Sequence, residues 1–198
     1  MEVPSSPVPA SSESSSSQST GALIRELVKV IVIAGVAIVG VRELIFKPFY
    51  VEGQSMVPNF EPNQYLIIDE LTYRFREPER GEVIVFKHND GQYLLKRVIG
   101  LPGERIKVAE GKITIYNDAH PEGKILDEVY LPHDLQTVGE EIVTLDKEEY
   151  FVLGDNRPNS LDSRRFGPIT RSQMTGRVFF RGWPVNQMMI FKTPEFGI

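Results

Sequence analysis

The pattern that most limits how this chain can fold is a succession of short apolar runs, rich in β-branched and aromatic residues and punctuated by glycine and proline turns. QYLIID begins at Gln64, EVIVFK at Glu82, QYLLKRVIG at Gln92, RIKVAEGKITIY at Arg105, EYFVLGD at Glu149 and TGRVFFRGWP at Thr175. Pro62-Asn63, Arg80-Gly81, Asp90-Gly91, Pro102-Gly103 and Glu110-Gly111 interrupt them. Branched and aromatic side chains suit a pleated surface, while Gly and Pro supply the backbone angles of tight turns. Residues 47–198 are therefore expected to form a mostly β domain, antiparallel, of barrel or sandwich type.

Ahead of that domain the character changes twice. Residues 1–20 hold nine serines and three prolines with almost nothing able to pack, so residues 1–21 are expected to be a disordered serine-rich tail. Residues 22–46 then read as a helix whose uncharged apolar core, Val30 to Val41, is bracketed by Lys29 and Arg42. Twelve residues are few for a membrane span. Counted from Ala22 to Phe46, however, a helix of 25 residues reaches roughly 37 Å, enough for a hydrocarbon core of roughly 30 Å if the flanking charges snorkel. A transmembrane anchor over 22–46 is the expectation. A cleaved signal peptide fits less well, because KPFYVEGQSM follows the apolar run in place of an A-x-A site. An amphipathic or buried helix of the β domain is the alternative. Arg25 and Lys29 on one side face Arg42 and Lys47 on the other, so charge does not orient the helix.

Composition removes several function classes. A net charge of -5 gives no electrostatic reason to approach nucleic acid, and none is expected as a partner. Without cysteine there is no disulfide, thiolate nucleophile or Cys-based metal site. His88, His120 and His133 lie scattered without metal-ligand spacing, and neither a Walker sequence nor G-x-G-x-x-G occurs, so no metal and no cofactor is expected.

The candidate chemistry begins at VEGQSMVPNF, where Ser55 follows shortly after the apolar helix. A serine hydroxyl is a weak nucleophile until a neighbouring base takes its proton. His88 sits in a polar HNDG turn with no orienting carboxylate in view, and Asp69-Glu70 point to opposite faces of a strand. Lys96 differs: within QYLLKRVIG it shares a face with Leu94 and Val98, while Leu95, Arg97 and Ile99 share the other. Burial there would lower its pKa and make it a general base; a structural ion pair or a snorkelling strand lysine is the other reading. A third stretch, YFVLGDNRPNSLDSRRFGPI from Tyr150, is a strand followed by a loop dense in Asp, Asn, Arg and Ser, either a structured surface loop or a polar network beside a site.

In this order the three stretches resemble the type I signal peptidases of bacteria and photosynthetic organelles, membrane proteases with a Ser-Lys dyad. FYVEGQSMVP is similar to the family's nucleophile box, YLLKRVIGLPGERI to its general-base box, GDNRPNSLDSRRFGPI to its long third box, and RGEVIVFK to a fourth. The resemblance implies that Ser55 is the acylating nucleophile and Lys96 the general base, with Ser160 hydrogen-bonding and orienting the lysine. It implies supporting ion pairs, Asp155 with Arg97 and Asp162 with Arg164, and shallow substrate pockets lined by Val51, Met56, Phe60, Leu94 and Leu95. Some relatives carry a serine two positions before the nucleophile that supplies half of the oxyanion hole; here that position is Gly53.

The function this implies is removal of N-terminal signal peptides from exported preproteins, cutting after small residues at -3 and -1. The implied setting is the lipid bilayer of a plasma or thylakoid membrane, crossed once, with the catalytic domain on the periplasmic, extracytoplasmic or lumenal side. A Ser-Lys self-cleaving protease of the repressor type and a catalytically inactive membrane-tethered peptide-binding module are the competing readings.

Overall fold

The computed structural model describes residues 17–194 and residue 196, so most of the stretch expected to be a disordered tail lies outside the described residues. The first helix, α1 (Ser17–Ile45), starts inside that expected tail, where small polar residues of the kind that open helices precede the apolar run. It stops before Pro48, which could not continue it, and Phe46, expected at its end, already belongs to a strand.

Leu23, Ile24, Val28, Val30, Ile33 and Val36 are each more than half exposed. At about 100° per residue they fall on every side of the helix, so its apolar surface is a sleeve and not the single stripe of an amphipathic helix. No helix among the described residues is long and apolar enough to cross a membrane. The charges of Arg25, Glu26 and Lys29 before the apolar run, and of Arg42 and Glu43 after it, leave only residues 30–41 uncharged.

The β domain is a separate compact unit from Arg42 onward. In chain order its strands are β1 (Phe46–Tyr50), β2 (Tyr65–Asp69), β3 (Val83–Lys87), β4 (Tyr93–Gly100), β5 (Arg105–Ala109) and β6 (Lys112–Asn117). They continue as β7 (His120–Ile125), β8 (Glu141–Thr144), β9 (Glu149–Leu153), β10 (Ile169–Thr170), β11 (Met174–Trp183) and β12 (Met189–Ile190), with a one-turn helix α2 (Ser163–Phe166) between β9 and β10. The larger sheet runs β1-β2-β11-β3-β4-β9-β10, with β12 beside β11; the smaller runs β7-β6-β5-β8. Every paired strand is antiparallel, as the turn-punctuated sequence predicts.

Three apolar clusters fill the domain. One gathers Val51, Met56, Phe60, Leu66, Val85 and Leu95, under the segment that carries Ser55. A second sets Ile84, Phe86, Val98, Tyr150 and Val152 on the far side of β3, β4 and β9. The third packs the smaller sheet, through Ile106, Val108, Ile113 and Ile115, onto Ile99, Phe151 and Leu153 of the larger one. That junction demands a glycine at the end of β4: a Cβ on Gly100 would lie 2.8 Å from side-chain carbons of Ile106 and Leu145.

Candidate active site

Ser55 lies in a turn pinned at both ends. Val51 donates its N–H to the Gln64 carbonyl at 3.0 Å, and the Phe60 N–H closes on the Met56 carbonyl at 2.9 Å. Val51, Met56 and Phe60 are buried, while Ser55 between them stays half-buried, so apolar anchors present the hydroxyl at the surface. The N–H of Ser55 makes no hydrogen bond among the described residues.

Strand β4 supplies the partner. It pairs with β3 on one side and β9 on the other, which fixes its pleat and buries both Lys96 (3% exposed) and Arg97 (5%) on opposite faces. The Lys96 Nζ lies 2.8 Å from the Ser55 Oγ and donates to its neighbour's carbonyl, Leu95 O, at 2.9 Å. Burial pushes the Lys96 pKa down from 10.5 to about 8, against the opposing pull of the Asp162 and Asp155 carboxylates. A lysine so placed is partly neutral near neutral pH and within reach of the proton it would abstract.

The loop after β9 frames this pair. Asn156 donates its N–H to the Ser55 carbonyl and its side-chain amide to the Gln54 carbonyl, both at 3.0 Å. Gly154 lies between two groups of the site: a Cβ there would fall 2.4 Å from the Ser55 carbonyl oxygen and 2.2 Å from the Ser160 Oγ. Asp155 takes a bidentate pair from Arg97, Nε at 2.8 Å and Nη2 at 2.6 Å, and the Asn59 amide at 2.8 Å. Asp162 accepts the Gly154 N–H at 3.1 Å and the Arg164 Nε and Nη2 at 2.9 and 2.8 Å. Both carboxylates are fully buried, and each guanidinium satisfies the charge it faces.

Two expectations need correction. The Ser160 hydroxyl does not bond Lys96: it is buried without a hydrogen-bond partner among the described residues, and the lysine nitrogen bonds Ser55 and Leu95 instead. Phe60 does not line the cleft beside Ser55. Its ring is turned into the core, stacked on Phe191 with centroids 4.6 Å apart. A cleft of about 570 Å³ runs between Pro48–Met56 and Gln92–Lys96, and its walls include Val51, Met56, Leu94 and Leu95 together with Tyr50, Glu52, Gly53 and Tyr93.

The sequence reading missed several supports. Asn59 bridges Asp155 to the Tyr130 carbonyl, the Tyr130 ring covers the Arg97 guanidinium at 4.0 Å, and Arg157 is buried in a paired contact with Glu128. Asn59 was within sight as the polar residue after Val57-Pro58, close to Ser55; nothing local marks Tyr130 or Glu128.

With this geometry in hand, the chain can be set beside known proteins. A family model described as signal peptidase, peptidase S26, matches residues 24–183. The chain belongs to the signal peptidase family, peptidase S26. It is thus a serine peptidase, a hydrolase. A probable signal peptidase I-2 of Synechocystis sp. is 38% identical over 168 residues, which cover 81% of this chain and 73% of that protein. The signal peptidase I of Leptolyngbya laminosa is 35% identical over 176 residues, 83% of this chain and 82% of its own. A crystal structure of a signal peptidase I from Enterococcus faecalis is 30% identical, covers 52% of this chain and 97% of that one, and has a TM-score of 0.44.

Proposed function

We propose that this signal peptidase cuts signal peptides from exported preproteins with Ser55 as nucleophile and Lys96 as general base. The observation that carries the reading is the 2.8 Å separation of Lys96 Nζ and Ser55 Oγ at a lysine only 3% exposed. Neutral Lys96 takes the Ser55 proton as Oγ bonds to the scissile carbonyl carbon. The resulting ammonium gives that proton to the departing amine as the C–N bond breaks, leaving an acyl-enzyme. Water then loses a proton to Lys96 while attacking the ester, and Ser55 leaves with the proton restored. The unpaired Ser55 N–H is the donor available to the oxyanion.

The substrate occupies the cleft as an extended strand between β1 and the start of β4, gaining main-chain hydrogen bonds there. With the cleft walled by Val51, Met56, Leu94 and Leu95, alternate side chains at -1 and -3 must be small and apolar, the pattern of secretory signal peptides. The apolar sleeve of α1 is the membrane tether, placing the β domain on the extracytoplasmic or lumenal face of a plasma or thylakoid membrane.

The test is cleavage of a preprotein by the detergent-solubilised full chain, read from the new N-terminus. The cut is expected after a small-x-small sequence. Ser55→Ala and Lys96→Ala are each expected to lose about 10³-fold or more in kcat/KM, and the parent's rate should rise with pH through about 8. Variants that cut as well as the parent would remove the dyad; a cut elsewhere would remove the specificity.

A further inference from the structure

The family match ends at residue 183, yet Phe191 and Phe196 beyond it pack against two different apolar clusters of the β domain. We propose that residues 191–194, with Phe196 beyond them, act as a strap whose two phenylalanines, Phe191 and Phe196, are positioning residues for the Ser55–Lys96 pair. The proposal rests on the dyad reading above.

At its near end the strap docks through the Phe191 N–H, which donates to the Phe179 carbonyl at 3.0 Å. The Phe191 ring stacks on Phe60, the residue whose N–H closes the turn carrying Ser55. The Arg181 guanidinium lies over both rings, 5.6 Å from Phe60 and 5.2 Å from Phe191, and donates to the Asn59 carbonyl. Asn59 in turn holds Asp155. Phe191 thus acts on the nucleophile's turn from beneath, through Phe60 and Asn59.

At its far end Phe196 meets Tyr130 edge-on, with centroids 6.1 Å apart at 81°. It also presses on Gly81, where a Cβ would lie 2.5 Å from the ring, so only a glycine admits it. Both contacts lead to Arg97: the Gly81 carbonyl accepts its Nη1 at 2.8 Å, and the Tyr130 face covers its guanidinium at 4.0 Å. Arg97 follows Lys96 in β4 and pairs with Asp155. Asp155 and Asp162 are the charges that act on Lys96. Removing the cover would let water reach the Arg97–Asp155 pair and loosen β4 beside the lysine.

The experiment uses full-length enzyme in detergent and a soluble peptide with small residues at -3 and -1. For Phe196→Ala, kcat is expected to fall about 10- to 100-fold with KM within about twofold. The rising limb of kcat/KM against pH should move up by about half a unit or more, as Lys96 becomes better solvated. Phe196→Leu, which keeps most of the bulk, should restore the greater part of both. An unchanged kcat and limb in Phe196→Ala, whatever happens to its melting temperature, would overturn the proposal, because the strap would then only add stability. Should Phe196→Ala not fold, Tyr130→Leu decides: it strips the cover from Arg97 and is expected to reproduce the lost kcat and raised limb, whereas parental values would overturn the strap. Failure of the dyad reading would show separately, as activity surviving Lys96→Ala in the parent.

Discussion

At the residue scale, the burial that suits Lys96 to the proposed role of general base also makes it a liability to the fold. Its pKa is about 8 in the folded chain against 10.5 when free. Below pH 8 both states carry the proton, and the buried ammonium destabilises the folded one by up to about 3 kcal/mol. Between about 8 and 10.5 the folded state binds fewer protons, so stability rises with pH, and above that window the penalty is gone. Lys96→Met, of similar bulk and no charge, should therefore be inactive yet melt about 6–10 °C higher at pH 7, with the gain fading toward pH 10.5. Thermal melts from pH 6 to 10.5 measure this; a variant that melts no higher than the parent at pH 7 would show that the lysine is not desolvated. Gly53 offers the opposite experiment. A Cβ there meets nothing within 4 Å, so Gly53→Ser can place the hydroxyl that some relatives use, and kcat should rise by up to about 10-fold with KM unchanged. A lower kcat on the same peptide would place the second oxyanion donor elsewhere.

At the scale of elements, the site is where one strand, one turn and one loop meet. Because Gly154 sits against both the Ser55 carbonyl and Ser160, Gly154→Ala must push the loop after β9 off the turn that carries Ser55; kcat/KM is expected to fall about 100-fold or more. Parental kinetics with a parental melt would mean that the turn and loop move independently. The strand was legible in the sequence: alternation along QYLLKRVIG puts Lys96 and Arg97 on opposite faces, where β4 has them. The polar loop was legible by composition and by resemblance, but its internal bonding was not, and Ser160 stands apart from the lysine it was expected to hold. Phe60 was assigned to the cleft although its ring serves the core, since a sequence shows that a residue is apolar and not which way it turns. Asn59 reaches Asp155 across 96 positions and Tyr130 across 71, contacts that no local pattern records. Strand β7, HPEGKI, has neither alternation nor β-branched density; it is a strand because β6 offers it a partner, and its place at the sheet edge tolerates the proline.

At the scale of the whole molecule, a charged, turn-rich β domain follows directly on a helix whose residues 30–36 are apolar on every side. Such a sleeve exposed to water costs free energy in proportion to its area, and in a bilayer it does not. For the anchoring proposed above, its weakness is length, because the uncharged residues 30–41 alone span about 18 Å at 1.5 Å per residue. A proposed tether this short has little to spare, and one further charge at its middle should be decisive. Val36, fully within the uncharged stretch and 69% exposed, is the place for it. Lysine at the centre of an inserted helix is unfavourable by about 3 kcal/mol. Full-length enzyme reconstituted in vesicles is expected to stay in the pellet after alkaline carbonate extraction, and Val36→Lys is expected to release most of it, while both cleave a soluble peptide at the same rate in detergent. Parental enzyme that carbonate extracts as readily as the variant would reduce α1 to a surface contact and leave the dyad untouched, because the β domain carries every residue of the proposed chemistry.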